Sequence, residues 1–288
     1  MQASGKRYII YPSRRNVIKI WNIADIHLGN RACDKKRLAR DIKKVKEDPF
    51  SFWIGGGDYA DYITPNDKRW DGNTVDSELL KVSDLGRIGE AMTEKVAALF
   101  TPIKNKCLGL VFGNHEDKYM SNENQQGLHH NLCASLGVPD LGYAAFLDVV
   151  FVRSLVEKNP TLLFDKSVAT RGPCFSQRVF IHHGAGGATT PGGKINRLIK
   201  FMDSFEADIY MIGHVHDQLT IKRPILTTNE ACEHIQERNR IGMISGAYIR
   251  TYTQDVAGYG EKKGYAPVPL GAVYVEVIPD KKEVYARI

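Results

Sequence analysis

No two cysteines in this chain stand in a C-x-x-C pair. The five present, at positions 33, 107, 133, 174 and 232, are odd in number and widely spaced. That excludes a disulfide scaffold and a thiolate zinc knot, and it places the expected compartment in the reducing cytoplasm. Long hydrophobic runs are also missing. The apolar patch from Tyr8 to Tyr11 is too short for a signal-peptide core, and no segment reaches the roughly 20 apolar residues of a membrane span, so no membrane partner is expected. Internal repeats and low-complexity tracts are absent. Charge of one sign is not abundant either: the formal net charge is +6. Such a balance suits an anionic substrate but does not by itself establish nucleic-acid binding.

What is present is enough apolar material for a substantial core, 43% of 288 residues. The pattern alternates strands and helices. Strands are expected over 17–24, 50–54 and 107–112, a basic amphipathic helix over 35–47, and a helix over 77–100 whose middle is weakened by Gly86 and Gly89. A helix over 122–136 and a strand over 146–152 follow, then a strand at 177–182, a helix at 195–205 and a strand at 208–212. Beyond Gln218 the chain reads as short strands at 219–222, 241–245, 247–252, 272–278 and 283–288. This alternation predicts an α/β layered fold, with the β-rich second half forming a second sheet packed on the first. One domain is expected over 1–288, with an insertion over the site at about 117–173.

Five short motifs stand in order: Asp25-x-His27, Gly57-Asp58-x-x-Asp61, Gly113-Asn114-His115-Glu116, His182-His183-Gly184 and Gly213-His214-x-His216. Each falls where an expected strand ends, the place where ligands gather in open α/β sheets. Residues two apart on extended backbone point the same way, so Asp25 with His27, and His214 with His216, can face one cavity. The donors are nitrogen and oxygen with no thiolate, a set that suits manganese, iron, zinc or nickel. The glycines leave room where a Cβ would crowd a metal or substrate. Singly, each motif is an ordinary turn or strand feature; five in order are not.

Together they resemble the calcineurin-like metallophosphoesterase superfamily, over about residues 17–217. The resemblance implies a four-layer αββα sandwich of two mixed sheets flanked by helices, with a dinuclear centre of two divalent ions, manganese first among them. It implies that Asp25, His27 and His216 bind one metal, that Asn114, His214 and one histidine of His182-His183 bind the other, and that Asp58 bridges them. Neighbouring residues on one strand face opposite ways, so only one of that pair binds, with a lean to His183. His115 is left to protonate or hydrogen-bond the leaving oxygen, oriented by Glu116 or Asp61. Two divalent cations outweigh Asp25, Asp58 and a hydroxide, which leaves a positive centre for a phosphate oxyanion.

The expected activity is hydrolysis of phosphate mono- or diesters. The alternative is a DNA or RNA nuclease, because residues 24–29 are similar to the start of SbcD-type nucleases; against it, too little chain follows His216 to hold their capping and partner-binding parts. A scaffold that has lost activity is disfavoured by the retained His115. The segment 184–194 does not have the spacing of a phosphate-binding P-loop and reads as a loop. His129 and His130 read as surface residues, His234 has no assigned role, and the basic run from Lys35 to Lys46 reads as a solvated helix face. Substrate choice is expected from loops 59–75, 117–173 and 184–193, with Arg31, Tyr59 and Arg250 as substrate contacts.

Overall fold

The computed structural model describes residues 1–154, 158–165, 174–229 and 231–288. Part of the stretch expected as an insertion therefore lies outside the described residues. The strands β2 (Ile18–Ile23), β3 (Ser51–Gly55) and β4 (Cys107–Leu110) are near-continuous apolar runs, as parallel strands covered on both faces require. They pair in parallel and are completed on the β2 side by the antiparallel strands β11 (Val273–Ile278) and β12 (Glu283–Arg287), giving the order β12-β11-β2-β3-β4.

The second sheet takes strands from both halves of the chain: β1 (Gln2–Tyr11), β5 (Ala144–Arg153), β6 (Thr161–Leu163), β7 (Cys174–His182), β8 (Ile209–Ile212), β9 (Leu219–Thr228) and β10 (Ile235–Ile244). Their order is β6-β1-β5-β7-β8-β10-β9. The division into sheets thus does not follow the halves of the sequence: β1 joins the late strands, and β11 and β12 join the early ones. Within the stretch expected as an insertion, β5 pairs between β1 and β7 in the middle of this sheet.

Both sheets contribute to one buried layer, with Ile18, Ile20, Phe52, Ile54 and Val275 from one sheet and Ile9, Val149, Val179, Ile209 and Met243 from the other. On the outer face of the five-stranded sheet lie α1 (Lys35–Glu47), α2 (Ile88–Phe100) and α4 (Leu128–Leu136). Helix α5 (Pro191–Ser204) covers the seven-stranded sheet through Leu198 and Met202. The result is the expected four-layer αββα sandwich, completed by α3 (Asn114–Asn122) and a short α6 (Tyr259–Lys262). No helix among the described residues is long and apolar enough to cross a membrane.

Local chemistry sets the ends. Asp34 caps α1 by accepting from the Arg37 N–H, and Leu38, Ile42 and Val45 face the sheet while the basic residues face solvent. At its other end Lys106 Nζ donates to the carbonyls of Val45, Lys46 and Asp48, satisfying groups a helix terminus leaves open. The helix expected over 77–100 begins only at Ile88, because Asp76 and Asp84 side chains accept from backbone N–H groups of Glu78 and Lys81 and hold the preceding segment in turns. Of the helix expected over 122–136 only Leu128–Leu136 forms, as α4; α3, which was not expected, precedes it, and a turn in which Asn124 has φ 54° separates the two. The strand expected at 247–252 makes only isolated bridges, as it runs beside residues 25 and 32–34.

Candidate metal centre

Every motif follows the carboxyl end of a strand: β2, β3 and β4 in one sheet, β7 and β8 in the other. The two loops after β2 and β3 continue side by side, with the N–H groups of Asp25 and Ile26 donating to the carbonyls of Gly57 and Asp58. The sheets are tied across the seam by Asp25, whose carboxylate accepts from the His214 N–H at 2.9 and 3.0 Å, and by His183 Nδ1, which donates to the Gly56 carbonyl at 2.8 Å.

The backbone is held in an unfavourable form here. Asp25, His27, Asp58, His214 and His216 all have φ between 47° and 67°, a region non-glycine residues rarely occupy. The neighbouring glycines are required by close approach: a Cβ on Gly113 would collide with Asp58 Oδ1, and one on Gly213 would lie 2.6 Å from Asp25 Oδ2.

Three overlapping sets of donors result, one of which joins His115 to His27 and Asp58; the other two consist of expected ligands. Asp25, His27 and His216 present ligand atoms within 4.8 Å of one another, and so do Asp58, His183 and His214. Asn114 belongs with the second set, its Oδ1 lying 3.1 Å from His183 Nε2. Asp58 Oδ2 lies between the sets, 3.4 Å from His183 Nε2 and 3.9 Å from His27 Nε2. His182 is turned away: its Nδ1 accepts from the Gly184 N–H and its ring packs on Phe201, so of the two adjacent histidines only His183 joins the cluster.

The donors fit cations. His27 Nδ1 donates to Asp61 Oδ1 at 3.1 Å, which leaves Nε2 as a lone pair, buried and without a hydrogen-bond partner among the described residues. Burial holds the His27 pKa below its ordinary value, which keeps that lone pair free. His183 Nε2 faces the oxygens Asn114 Oδ1 and Asp58 Oδ2. Against the effect of burial, Asp58 and Asp25 push its pKa up to about 10, so the position favours a proton or a cation. Burial raises the pKa of both aspartates, but neighbouring histidines, His183 for Asp58 and His216 for Asp25, outweigh it and keep both ionised. An unpaired imidazole nitrogen beside carboxylates is the pattern of a mixed nitrogen and oxygen metal site.

His115 stands beside these groups, its ring edge on to that of His27 at 4.6 Å. Its Nδ1 donates to the Asp61 carbonyl and lies 3.5 Å from Asp61 Oδ1, while Nε2 accepts from Arg69 Nη1 at 3.4 Å. Glu116, expected as a partner of His115, is buried elsewhere. Its carboxylate accepts from the N–H groups of Asp58, Tyr59 and Gly113 and so ties the second motif to the third. Orientation of His115 therefore falls to Asp61, not Glu116.

One of the expected substrate contacts needs correction. Tyr59 is fully buried, its hydroxyl bonded to the Val111 carbonyl, and it cannot meet a substrate. Arg31 is engaged with the Asn73 carbonyl and Arg250 with Asp34. His129 is buried against Tyr59 and Phe112 rather than on the surface. Two functional neighbours escaped the motif reading. Arg69 lies in a loop that sequence marks only by its length. Lys194 lies in the first turn of α5, which begins inside the segment expected as loop; its Nζ donates to Asp217 Oδ2 at 3.0 Å and to the His216 carbonyl at 3.3 Å.

The family model of the calcineurin-like phosphoesterases matches residues 18–218. Among solved structures, a conserved uncharacterized protein and predicted phosphoesterase from Streptococcus pneumoniae TIGR4 is similar at 10% identity and a TM-score of 0.32, over 94% of this chain and 99% of that one. A double mutant of Vps29 from Entamoeba histolytica is similar at 11% identity and a TM-score of 0.38, over 94% and 97%. A comparison with curated proteins gives no match.

Proposed function

The chain belongs to the calcineurin-like phosphoesterase family, and from that premise we propose that it hydrolyses phosphate mono- or diesters at a pair of divalent cations. The observation that carries the reading is Asp58 Oδ2, placed between two three-residue donor sets, one of which contains a buried imidazole nitrogen with no hydrogen-bond partner among the described residues. Asp25, His27, His216 and Asp58 would hold one cation, and Asp58, Asn114, His183 and His214 the other. Bound there, two cations supply Lewis acidity toward the phosphoryl oxygens and lower the pKa of a water to the neutral range.

The chain's own groups do the rest. Asp61 fixes His27 in the Nδ1–H tautomer and, through its carbonyl, holds His115 Nδ1–H, so His115 Nε2 is the atom offered to the substrate. To act as the acid, His115 carries a second proton on Nε2 in place of the contact from Arg69 Nη1; that proton passes to the leaving oxygen and leaves the neutral Nδ1–H ring held by Asp61, a contribution typically worth about 10²–10⁴-fold. Nucleic acid is one diester to test among others, and manganese the first metal.

The test is turnover of a phosphomonoester, a phosphodiester and single- and double-stranded DNA in manganese, with metal content measured alongside. Asp58→Asn is expected to lose metal and turnover together. His115→Gln is expected to keep its metal and lose about 10²-fold or more in turnover. A fully active His115→Gln variant refutes the role given to this residue; a wild type that binds no divalent metal refutes the whole reading.

A further inference from the structure

Loop 62–71 runs past His115 and is fastened at several points. Thr64 Oγ1 donates to Glu123 at the end of α3, and Trp70 packs on the core that holds α2 and α4. Between them the buried carboxylate of Asp67 takes two cations at once. Arg69 Nε and Nη2 donate to it, the shortest contact being 2.8 Å, and Lys118 Nζ lies 3.1 Å away on α3. These partners hold the Asp67 carboxyl well below its ordinary pKa, the hydrogen bonds from Arg69 first among the causes. Two cations on one carboxylate leave one positive charge uncompensated. The guanidinium has only its Nη1 edge free of Asp67, and that edge faces His115 Nε2.

We propose that Arg69, backed by Lys118, forms an anion subsite on the leaving-group side of the centre, so that the favoured substrate is a phosphate ester whose leaving group carries a second anionic group. This rests on the role given to His115 above: the group that meets the leaving oxygen has a guanidinium as its immediate neighbour. With Nε and Nη2 held by Asp67, Nη1 is the charged donor left to phosphate or carboxylate oxygens. The bidentate pair with Asp67 fixes its orientation beforehand, so little side-chain freedom remains to be lost on binding. The second anion can belong to a polynucleotide or to a small phosphorylated alcohol; the subsite recognises the charge that both share.

The inference is tested by calorimetric binding of two non-hydrolysable probes, methylphosphonate and propane-1,3-bisphosphonate, to the manganese-loaded full chain. Wild type is expected to bind the bisphosphonate about tenfold or more tightly than the monophosphonate. Arg69→Ala closes that gap to about twofold, and Arg69→Lys restores part of it. Equal affinities in wild type, or a gap that survives Arg69→Ala, overturn the subsite. Asp58→Asn separates this from the parent reading: if it binds both probes as wild type does, the anion is not held at the proposed centre and the phosphoesterase assignment itself fails. Hydrolysis of the dinucleotides TpT, pTpT and TpTp beside propyl phosphate and propane-1,3-diol bisphosphate then separates the sources. Preference for one phosphorylated dinucleotide marks a polynucleotide, and preference for the diol bisphosphate a small ester. No preference in either series speaks against the subsite.

Discussion

Asp61 serves two histidines with different parts of itself, the side chain holding His27 and the carbonyl holding His115. Its remaining carboxylate oxygen accepts from Asn30 at 2.8 Å, so the group cannot rotate freely. Asp61→Asn can keep the carbonyl contact but presents an amide that can turn its NH₂ toward His27 and favour the wrong tautomer. The expected result is about 10–100-fold weaker manganese binding, read by calorimetry, with a smaller change in the pH profile of any remaining turnover. A second residue-level prediction concerns Lys194. Its ion pair with Asp217 is almost wholly buried, and the same ammonium holds the carbonyl of strained His216. Lys194→Met leaves Asp217 buried without its counter-ion, at an expected cost of about 3–5 kcal/mol in denaturant unfolding. If the lysine also positions His216, excess manganese recovers metal occupancy in the folded fraction; if it is purely structural, occupancy per folded molecule does not change.

At the scale of elements, Glu116 joins the turn after β3 to the start of α3 through three backbone N–H groups. Glu116→Gln removes acceptor capacity while keeping shape, leaving at least one buried N–H unmatched at about 1–3 kcal/mol. The loss should appear as a lower denaturant midpoint with little change of slope. The C-terminal end of α1 gives a pH prediction. Burial raises the pKa of Asp48, but hydrogen bonds from Lys19, the Phe50 N–H and Ser51 outweigh it and hold the carboxyl below its ordinary value. A lowered folded pKa means that its contribution is complete above about pH 4 and fades as pH falls through the folded value. Wild type should therefore lose stability on acidification more steeply than Asp48→Asn, which starts lower and stays flatter.

Elements also show what sequence could and could not reveal. Strands β2, β3, β4 and β8 were legible because each is a short buried run ending at a motif, and the site residues were legible for the same reason. Strand β1 was not, since its first half, Gln2 to Lys6, is polar and exposed and its pairing is with β5, far along the chain. Hairpin strands β9 and β10 extend well past the apolar segments that mark them, and Pro224 sits within β9, tolerated at the sheet edge. His129 reads as surface because its burial depends on Tyr59 and Phe112, which reach it from separate segments. Glu116 was placed beside His115 by adjacency in sequence, but its helical position turns it to the opposite side.

For the whole molecule, the two donor sets draw on both sheets: Asp25, His27, Asp58 and Asn114 follow strands of one, and His183, His214 and His216 follow strands of the other. Cations bound there would clamp the sandwich. Manganese at about 100 times its dissociation constant should stabilise the fold by about 2.7 kcal/mol per site, several degrees in melting temperature, and a chelator should reverse the shift. A melting temperature indifferent to both would argue against binding across the seam.

That division of donors bears on the order in which the protein is made. A ribosome that has delivered the chain only as far as β6 has presented Asp25, His27, Asp58 and Asn114 but none of the three later histidines. Such an arrested nascent chain should fail to retain manganese that the released protein keeps, so loading would wait until His216 has emerged.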